Sequence, residues 1–330
     1  MVKVLEQLGM DGLPPPPPVT LESPLDERRR YFAMSEQQSG AMFDTLAQGL
    51  PAVQSATTTT TTITGGDGND VTLYISRPAD AGIALPCVVH FHSGGMAMGS
   101  AADLLYMRMR EYLAATGLVV VGVEFRNSSG KLGPHPFPAG LNDCAAATRW
   151  VAANRKQLGI THLIVFGESG GGNFTLAVAH KAKRDSWLGE VAGCYAVCPS
   201  ISNRWLERPD SLPSLRECDG YFVGCEDLAL MGSVYDPTAE YAHDATAYAG
   251  MASDDELAGL PPHVISVNEL DPLRDEGLAY YRRLVRAGVP AIGRIVAGIC
   301  HCGDLMMASV MPEVFESTMR DVSGFAKSLG

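Results

Sequence analysis

The sequence predicts an α/β fold, a parallel sheet covered by helices on both faces. Two observations lead there. Short apolar runs recur at 87–91, 118–125, 163–167, 191–198, 264–270 and 292–297, with the near-continuous hydrophobicity of strands buried on both sides. Between them lie stretches of helical periodicity at 104–116, 141–158, 170–183, 273–287 and 314–329, and that alternation builds parallel sheets. Ahead of the first run, the threonines from Thr57 to Thr62, a Gly/Asp-rich turn and the segment from Val71 to Pro78 read as an opening hairpin, because β-branched residues favour strands.

Two segments interrupt this rhythm. Residues 1–50 carry a five-proline run, Pro14 to Pro18, stiff and extended and unable to enter a helix. An amphipathic stretch with Tyr31, Phe32, Met34, Met42, Phe43 and Leu46 follows it. An N-terminal arm is expected there, packed on the main domain or shaping a pocket. Residues 201–260 show no clear strand and mix Pro, Tyr and acidic residues, which reads as an inserted cap. The main domain is then 51–200 together with 261–330, and no fixed-period repeat is visible.

Composition narrows the function classes. Hydrophobic residues make up 46% and charged residues 19% of the 330, enough for a sizeable core and too apolar for a disordered chain. A net charge of −12 repels polyphosphate, and the densest basic run, Arg28 to Arg30, is short, so no nucleic-acid partner is expected. No apolar stretch is long enough to span a bilayer, so a soluble protein without membrane insertion is expected. The N-terminus lacks the apolar core of a secretory signal. Eight scattered cysteines suit a reduced, cytoplasmic protein. Cys300 and Cys302 flank His301, but the second ligand pair of a zinc site is missing, so no metal is expected.

The sharpest chemical signal is an apolar strand from Leu163 running into Gly167-Glu168-Ser169-Gly170-Gly171 and then a helix. This strand–turn–helix order is what a Gly-x-Ser-x-Gly nucleophile turn requires. The glycines allow a backbone too tight for side chains, and Ser169 stands exposed at a helix N-terminus, where developing negative charge is favoured. A Gly-rich turn with an incidental serine is the plain alternative. Phosphate cradling is disfavoured because the lysine of a phosphate-binding loop is absent. A second signal is His92-Ser93-Gly94-Gly95-Met96 after the strand 87–91. There Gly94 and Gly95, with Gly170, could aim backbone N–H groups at an oxyanion. His92 reads as a loop anchor.

A nucleophilic serine needs a base, and the base an orienting acid. Asp271 closes the strand 264–270 and His301 follows the last strand, giving the chain order Ser, Asp, His. Glu269 shares the strand end with Asp271 and is its rival, and Asp275 and Asp304 lie close by. Among the histidines, His301 alone follows Asp271.

With these residues in place, the chain resembles the hormone-sensitive-lipase group of α/β-hydrolases, and within it the bacterial brefeldin A esterase branch. The resemblance runs from about residue 50 onward. It rests on HSGGM at 92–96, EFRN at 124–127, HPFPAG at 135–140, GESGGGN at 167–173 and NELDPLRDEG at 268–277. It implies an eight-stranded, mostly parallel sheet with a helical cap built from the N-terminal arm and 201–260. It also implies Ser169 as nucleophile, Asp271 as acid, His301 as base, and Gly94, Gly95 and Gly170 as oxyanion donors. Ser93 departs from the family's His-Gly-Gly-Gly loop, and the Cys-His-Cys setting of the base suggests sensitivity to oxidation or heavy metals.

The expected activity is that of a serine carboxylesterase acting on short to medium acyl esters or lactones, without cofactor. A non-catalytic small-ligand receptor of the same fold is the alternative from another class; lactonase or amidase chemistry would use the same residues. Such receptors lack the catalytic histidine, so His301 beside Ser169 and Asp271 favours the enzyme. The expected partner is a small-molecule ester, for a monomer or homodimer. Met96, Met98, Tyr221 and Phe222, with Met231 and Tyr235, are candidates for an apolar pocket wall, although each also fits ordinary packing between cap and core.

Overall fold

The computed structural model describes residues 15–330 apart from 49, 51 and 81. The expectation for the extreme N-terminus and the first proline of the run lie outside these residues. Eight strands form one sheet: β1 (Ala56–Thr64), β2 (Asp70–Pro78), β3 (Leu85–Phe91), β4 (Val119–Glu124), β5 (Ile160–Glu168), β6 (Gly193–Val197), β7 (His263–Leu270) and β8 (Ala291–Cys300). Their spatial order is β1-β2-β4-β3-β5-β6-β7-β8. Pairing is antiparallel for β1–β2 and β2–β4 and parallel from β4 to β8. The threonine run forms the edge strand β1, largely exposed, where polar β-branched side chains keep strand geometry without an apolar edge. Strands β3, β4, β5 and β6 lie inside and are almost wholly buried, which explains their uninterrupted hydrophobicity.

Among the described residues, seven helices longer than one turn are α1 (Leu25–Gln48), α2 (Leu104–Ala115), α3 (Ala139–Ala153), α4 (Gly170–Arg184), α5 (Cys225–Tyr235), α6 (Arg274–Arg286) and α7 (Pro312–Ser328). The sheet separates two apolar layers. Val89, Val165, Ala177 and Ile265 belong to one, and Val88, Ile164, Met109 and Met319 to the other. The stretch expected as one helix over 141–158 is two, because Asn154 leaves helical geometry and its amide turns back to donate to Trp150 O at 2.8 Å. Side-chain competition of this kind ends helices. Pro312 starts α7, where its missing N–H costs nothing.

The N-terminal arm carries α1, which packs Phe32 against Ala97, Leu230 and Val234. Tyr31 Oη donates to Asp227 Oδ1 at 3.0 Å, tying α1 to α5. Within 201–260 the described residues form α5, single helical turns and loops, with no strand. This segment is not a separate body. Tyr235 meets Phe137 and Tyr248 edge-on at centroid distances of 5.6 and 5.7 Å, so the main core continues into it.

Candidate active site

Five adjacent strands, β3, β5, β6, β7 and β8, run parallel, so their carboxyl ends lie along one rim. The residues immediately after them are His92, Ser169, Cys198, Asp271 and His301. Outside the carboxyl ends of parallel strands is where an open α/β sheet forms its sites.

The tight turn at β5 has a steric cause. A Cβ on Gly167 would stand 2.3 Å from Gly171 O, and one on Gly171 would stand 2.0 Å from Phe91 O. Only glycine lets α4 approach β3 so closely. Ser169 takes φ 56° and ψ −118°, a conformation that costs of order 1–3 kcal/mol in an L-residue and persists only where the surroundings enforce it. Here Ser169 N donates to Val197 O at 2.9 Å, while Ser169 O accepts from Asn173 N and Ser200 N.

The Ser169 hydroxyl lies 2.9 Å from His301 Nε2, and His301 Nδ1 lies 2.8 Å from Asp271 Oδ2. A carboxylate can only accept, so in the neutral ring Nδ1 carries the proton and Nε2 is left to accept from Ser169. Asp271 Oδ1 accepts from Leu273 N at 2.8 Å, which fixes the carboxylate. Burial disfavours the imidazolium of His301. The charge of Asp271 and its hydrogen bond outweigh burial and hold the group well above its ordinary value.

The rival carboxylates are engaged elsewhere. Glu269 faces solvent and accepts from Gly298 N at 2.6 Å, bracing the irregular end of β8. Asp275 accepts from Ser214 N, and the buried Asp304 accepts from Asn268 Nδ2 and Thr318 Oγ1. Regular alternation would put Glu269 and Asp271, two residues apart, on one face; they part because Asp271 lies beyond the last residue of β7, where the chain turns it in, while Glu269 faces solvent.

The glycine loop abuts the same turn. A Cβ on Gly170 would stand 2.8 Å from Gly95 N, so the start of α4 and the loop backbone touch. Gly94 and Gly95 take φ 108° and 61°. Neither N–H has an acceptor among the backbone hydrogen bonds of the described loops, and Gly170 opens a helix whose first N–H groups have no intrahelical acceptor. Ser93 leaves those donors free. Its N–H goes to Glu168 Oε1 at 2.9 Å and its hydroxyl pairs with Tyr106 Oη at 2.5 Å. His92 is the anchor the sequence suggested. It stacks on Phe125 at 4.1 Å and donates Nδ1–H to Ser93 O at 2.6 Å, while burial pushes its pKa down to about 3.

Glu168 was visible in the motif but not as a participant. Its second oxygen accepts from His90 Nε2 at 3.0 Å, so one buried carboxylate ties β3, β5 and the glycine loop together. Glu168→Ala strands the Ser93 N–H and the His90 ring N–H in a dry interior. We expect it to lower unfolding stability by about 2–5 kcal/mol in denaturant melts; a loss under 1 kcal/mol would remove this role.

Of the pocket candidates, Met98 borders a cavity beside Gly94 that Phe43, Leu105 and Tyr106 also line. Met231 crowds Gly95, its Sδ 2.2 Å from where a Cβ would sit. Phe222 is half-buried and packs with the cluster containing Cys198 and Cys302, and Tyr221 is half-exposed. Met96 and Tyr235 belong to the core instead, because the loop's positive φ at Met96 (59°) turns that side chain inward and Tyr235 closes an aromatic cluster with Phe137, Phe174 and Tyr248.

Comparison with known proteins agrees with this architecture. Residues 88–304 match the family model described as the alpha/beta hydrolase fold. The chain belongs to that family, in the group resembling hormone-sensitive lipase, and it is a carboxylic ester hydrolase. It is similar to the esterase LipI of Mycobacterium tuberculosis, 34% identical over 71% of this chain and 70% of the relative. It is also similar to the carboxylesterase NlhH of the same organism, 30% identical over 80% and 81%. Among solved structures, brefeldin A esterase, described as a bacterial homologue of human hormone-sensitive lipase, superposes with a TM-score of 0.96 at 44% identity, covering 99% of this chain and 92% of that one. No described helix is long and apolar enough to cross a membrane.

Proposed function

We propose that the chain hydrolyses carboxylic esters through an acyl-enzyme on Ser169, with His301 as the base, Asp271 as the acid that orients it, and Gly94, Gly95 and Gly170 as oxyanion donors. The observation that carries this reading is the continuous hydrogen-bond path from Ser169 Oγ through His301 to Asp271, beside a loop with unpaired N–H groups. His301 Nε2 takes the hydroxyl proton as Oγ attacks the ester carbonyl, and the carbonyl oxygen gathers charge in front of the three amides. Collapse breaks the C–O bond, and the imidazolium returns its proton to the leaving alcohol. Water, deprotonated by the same nitrogen, then releases the acid. Lactones follow the same course with the alcohol still tethered to the acyl group. Helices α1 and α5 form the cap. Glu36 on α1 accepts from Gly99 N and Lys131 N at 2.7 Å each, which fixes the arm against the glycine loop. Met98, Met231 and the cavity next to Gly94 favour short to medium acyl chains.

An organophosphonate probe tests the assignment. One equivalent should abolish p-nitrophenyl ester hydrolysis, and peptide mapping should place the adduct on Ser169. Full inactivation with the adduct on another residue would overturn it.

A further inference from the structure

We propose that Cys198, His301 and Cys302 form a binding site for a thiophilic divalent cation of the zinc class, and that the bound cation shuts off hydrolysis by occupying His301 Nε2. The binding half stands on geometry alone; the inhibitory half rests on His301 serving as the base.

The two sulfurs and one imidazole nitrogen lie within 4.8 Å of one another, all buried. Cys302 Sγ is 3.6 Å from His301 Nε2. Tetrahedral zinc, with bonds of about 2.3 Å to sulfur and 2.0–2.1 Å to nitrogen, sets its N···S and S···S separations at about 3.6 and 3.8 Å, so the site needs to contract by at most about 1.2 Å. Two thiolates with an imidazole are the donor set that selects zinc over harder ions. Three protein ligands leave a fourth position for water.

Two further features suit this use. His301 already donates Nδ1–H to Asp271, the carboxylate–histidine arrangement that fixes tautomer and ring orientation in metal sites and makes the other nitrogen a better ligand. Both cysteines occupy left-handed backbone, φ 44° at Cys198 and 50° at Cys302, conformations that are strained in L-residues and gather at functional positions. Cys300, adjacent in sequence, is not part of the group. The second sulfur comes from the end of β6, across the end of β7.

The balance is simple. A thiol binds such a cation as its thiolate, so the cation forms two S–M bonds and one N–M bond while the two thiol protons leave to solvent, with no change in oxidation state. Ser169 then has no acceptor for its proton.

Cadmium is the spectroscopic probe. Titrating Cd2+ into the whole protein should produce a thiolate-to-cadmium charge-transfer band that saturates at one cation per chain in the wild type and equally in Ser169→Ala, and that is lost in the Cys198→Ser/Cys302→Ser double variant. Zn2+ should inhibit the wild type and a chelator should restore it. Each single serine variant, measured against its own zinc-free rate, should need roughly 10- to 100-fold more zinc. If the double variant fails to fold by circular dichroism, the single variants carry the same comparison. No band in the wild type, or a band undiminished in the cysteine variants, overturns the site. A band in wild type and Ser169→Ala without zinc inhibition overturns the inhibitory half and counts against His301 as the base.

Discussion

Ser169→Ala is expected to lower kcat for p-nitrophenyl acetate on the order of a million-fold while leaving the fold intact. Without Oγ no acyl-enzyme forms, and the remaining route is direct attack by water with only binding and the oxyanion donors to help, which in comparable serine hydrolases leaves about 10³–10⁴ over the uncatalysed rate. The backbone at position 169 is held by hydrogen bonds from Asn173 N and Ser200 N and to Val197 O, none of which involves the side chain. A Cβ is already present, so alanine adds no steric demand at the strained φ of 56°. The thermal midpoint should therefore stay within a few degrees of wild type. A variant that keeps more than a tenth of the wild-type rate, purified free of contaminating esterase, would sink the nucleophile assignment.

What the sequence showed and what it hid follow from the range over which each signal acts. The strand runs, the opening hairpin and the Gly-x-Ser-x-Gly turn are local. A β-branched apolar run buries itself, and Gly171 is required by an approach to Phe91 O that any strand–helix turn of this shape makes. The positions of Ser169, Asp271 and His301 were legible because each follows a strand directly, and parallel strands bring such residues to one rim. Glu168, Glu36 and Cys198 were hidden for the opposite reason. The contact from Glu36 to Gly99 N crosses from a helix of the arm to a loop of the main domain, and nothing near Glu36 in the chain marks it. The neighbours flanking His301 in sequence suggested Cys300 and Cys302 as a pair, whereas the sheet order brings Cys198 to His301 in place of Cys300. Met96 was misplaced as a wall residue because a hydrophobic residue after a glycine pair reads the same whether the loop turns it in or out. The backbone of the loop decides, with positive φ at Gly94, Gly95 and Met96 itself, and sequence leaves φ open at glycine.

Asp271→Asn should cost about 10⁴-fold in kcat and, at the same time, move the acid limb of the pH profile downward. Asp271 accepts two N–H bonds, from His301 Nδ1 and from Leu273 N. Asparagine has a single oxygen for them. If its oxygen stays with Leu273, its amide faces Nδ1, which must then give up its proton, and the ring takes the tautomer with hydrogen on Nε2. That tautomer cannot accept from Ser169. The pH effect has its own sign. Hydrolysis needs neutral His301, so the rate rises with pH as the imidazolium loses its proton. In the wild type the carboxylate holds that proton, placing the limb above the ordinary value of 6.5. Without the negative charge, the largest influence left on the ring is burial, which disfavours the imidazolium and pulls the value down. A lower plateau with the limb displaced to lower pH separates loss of orientation from simple misfolding, which would lower the plateau and leave the limb in place. Glu269→Gln is the matched control. Its side chain is exposed and engaged with Gly298 N, so its plateau should remain within a few-fold of wild type and its limb unmoved. A Glu269→Gln profile that collapses while Asp271→Asn stays active would transfer the role of the acid to the neighbouring carboxylate.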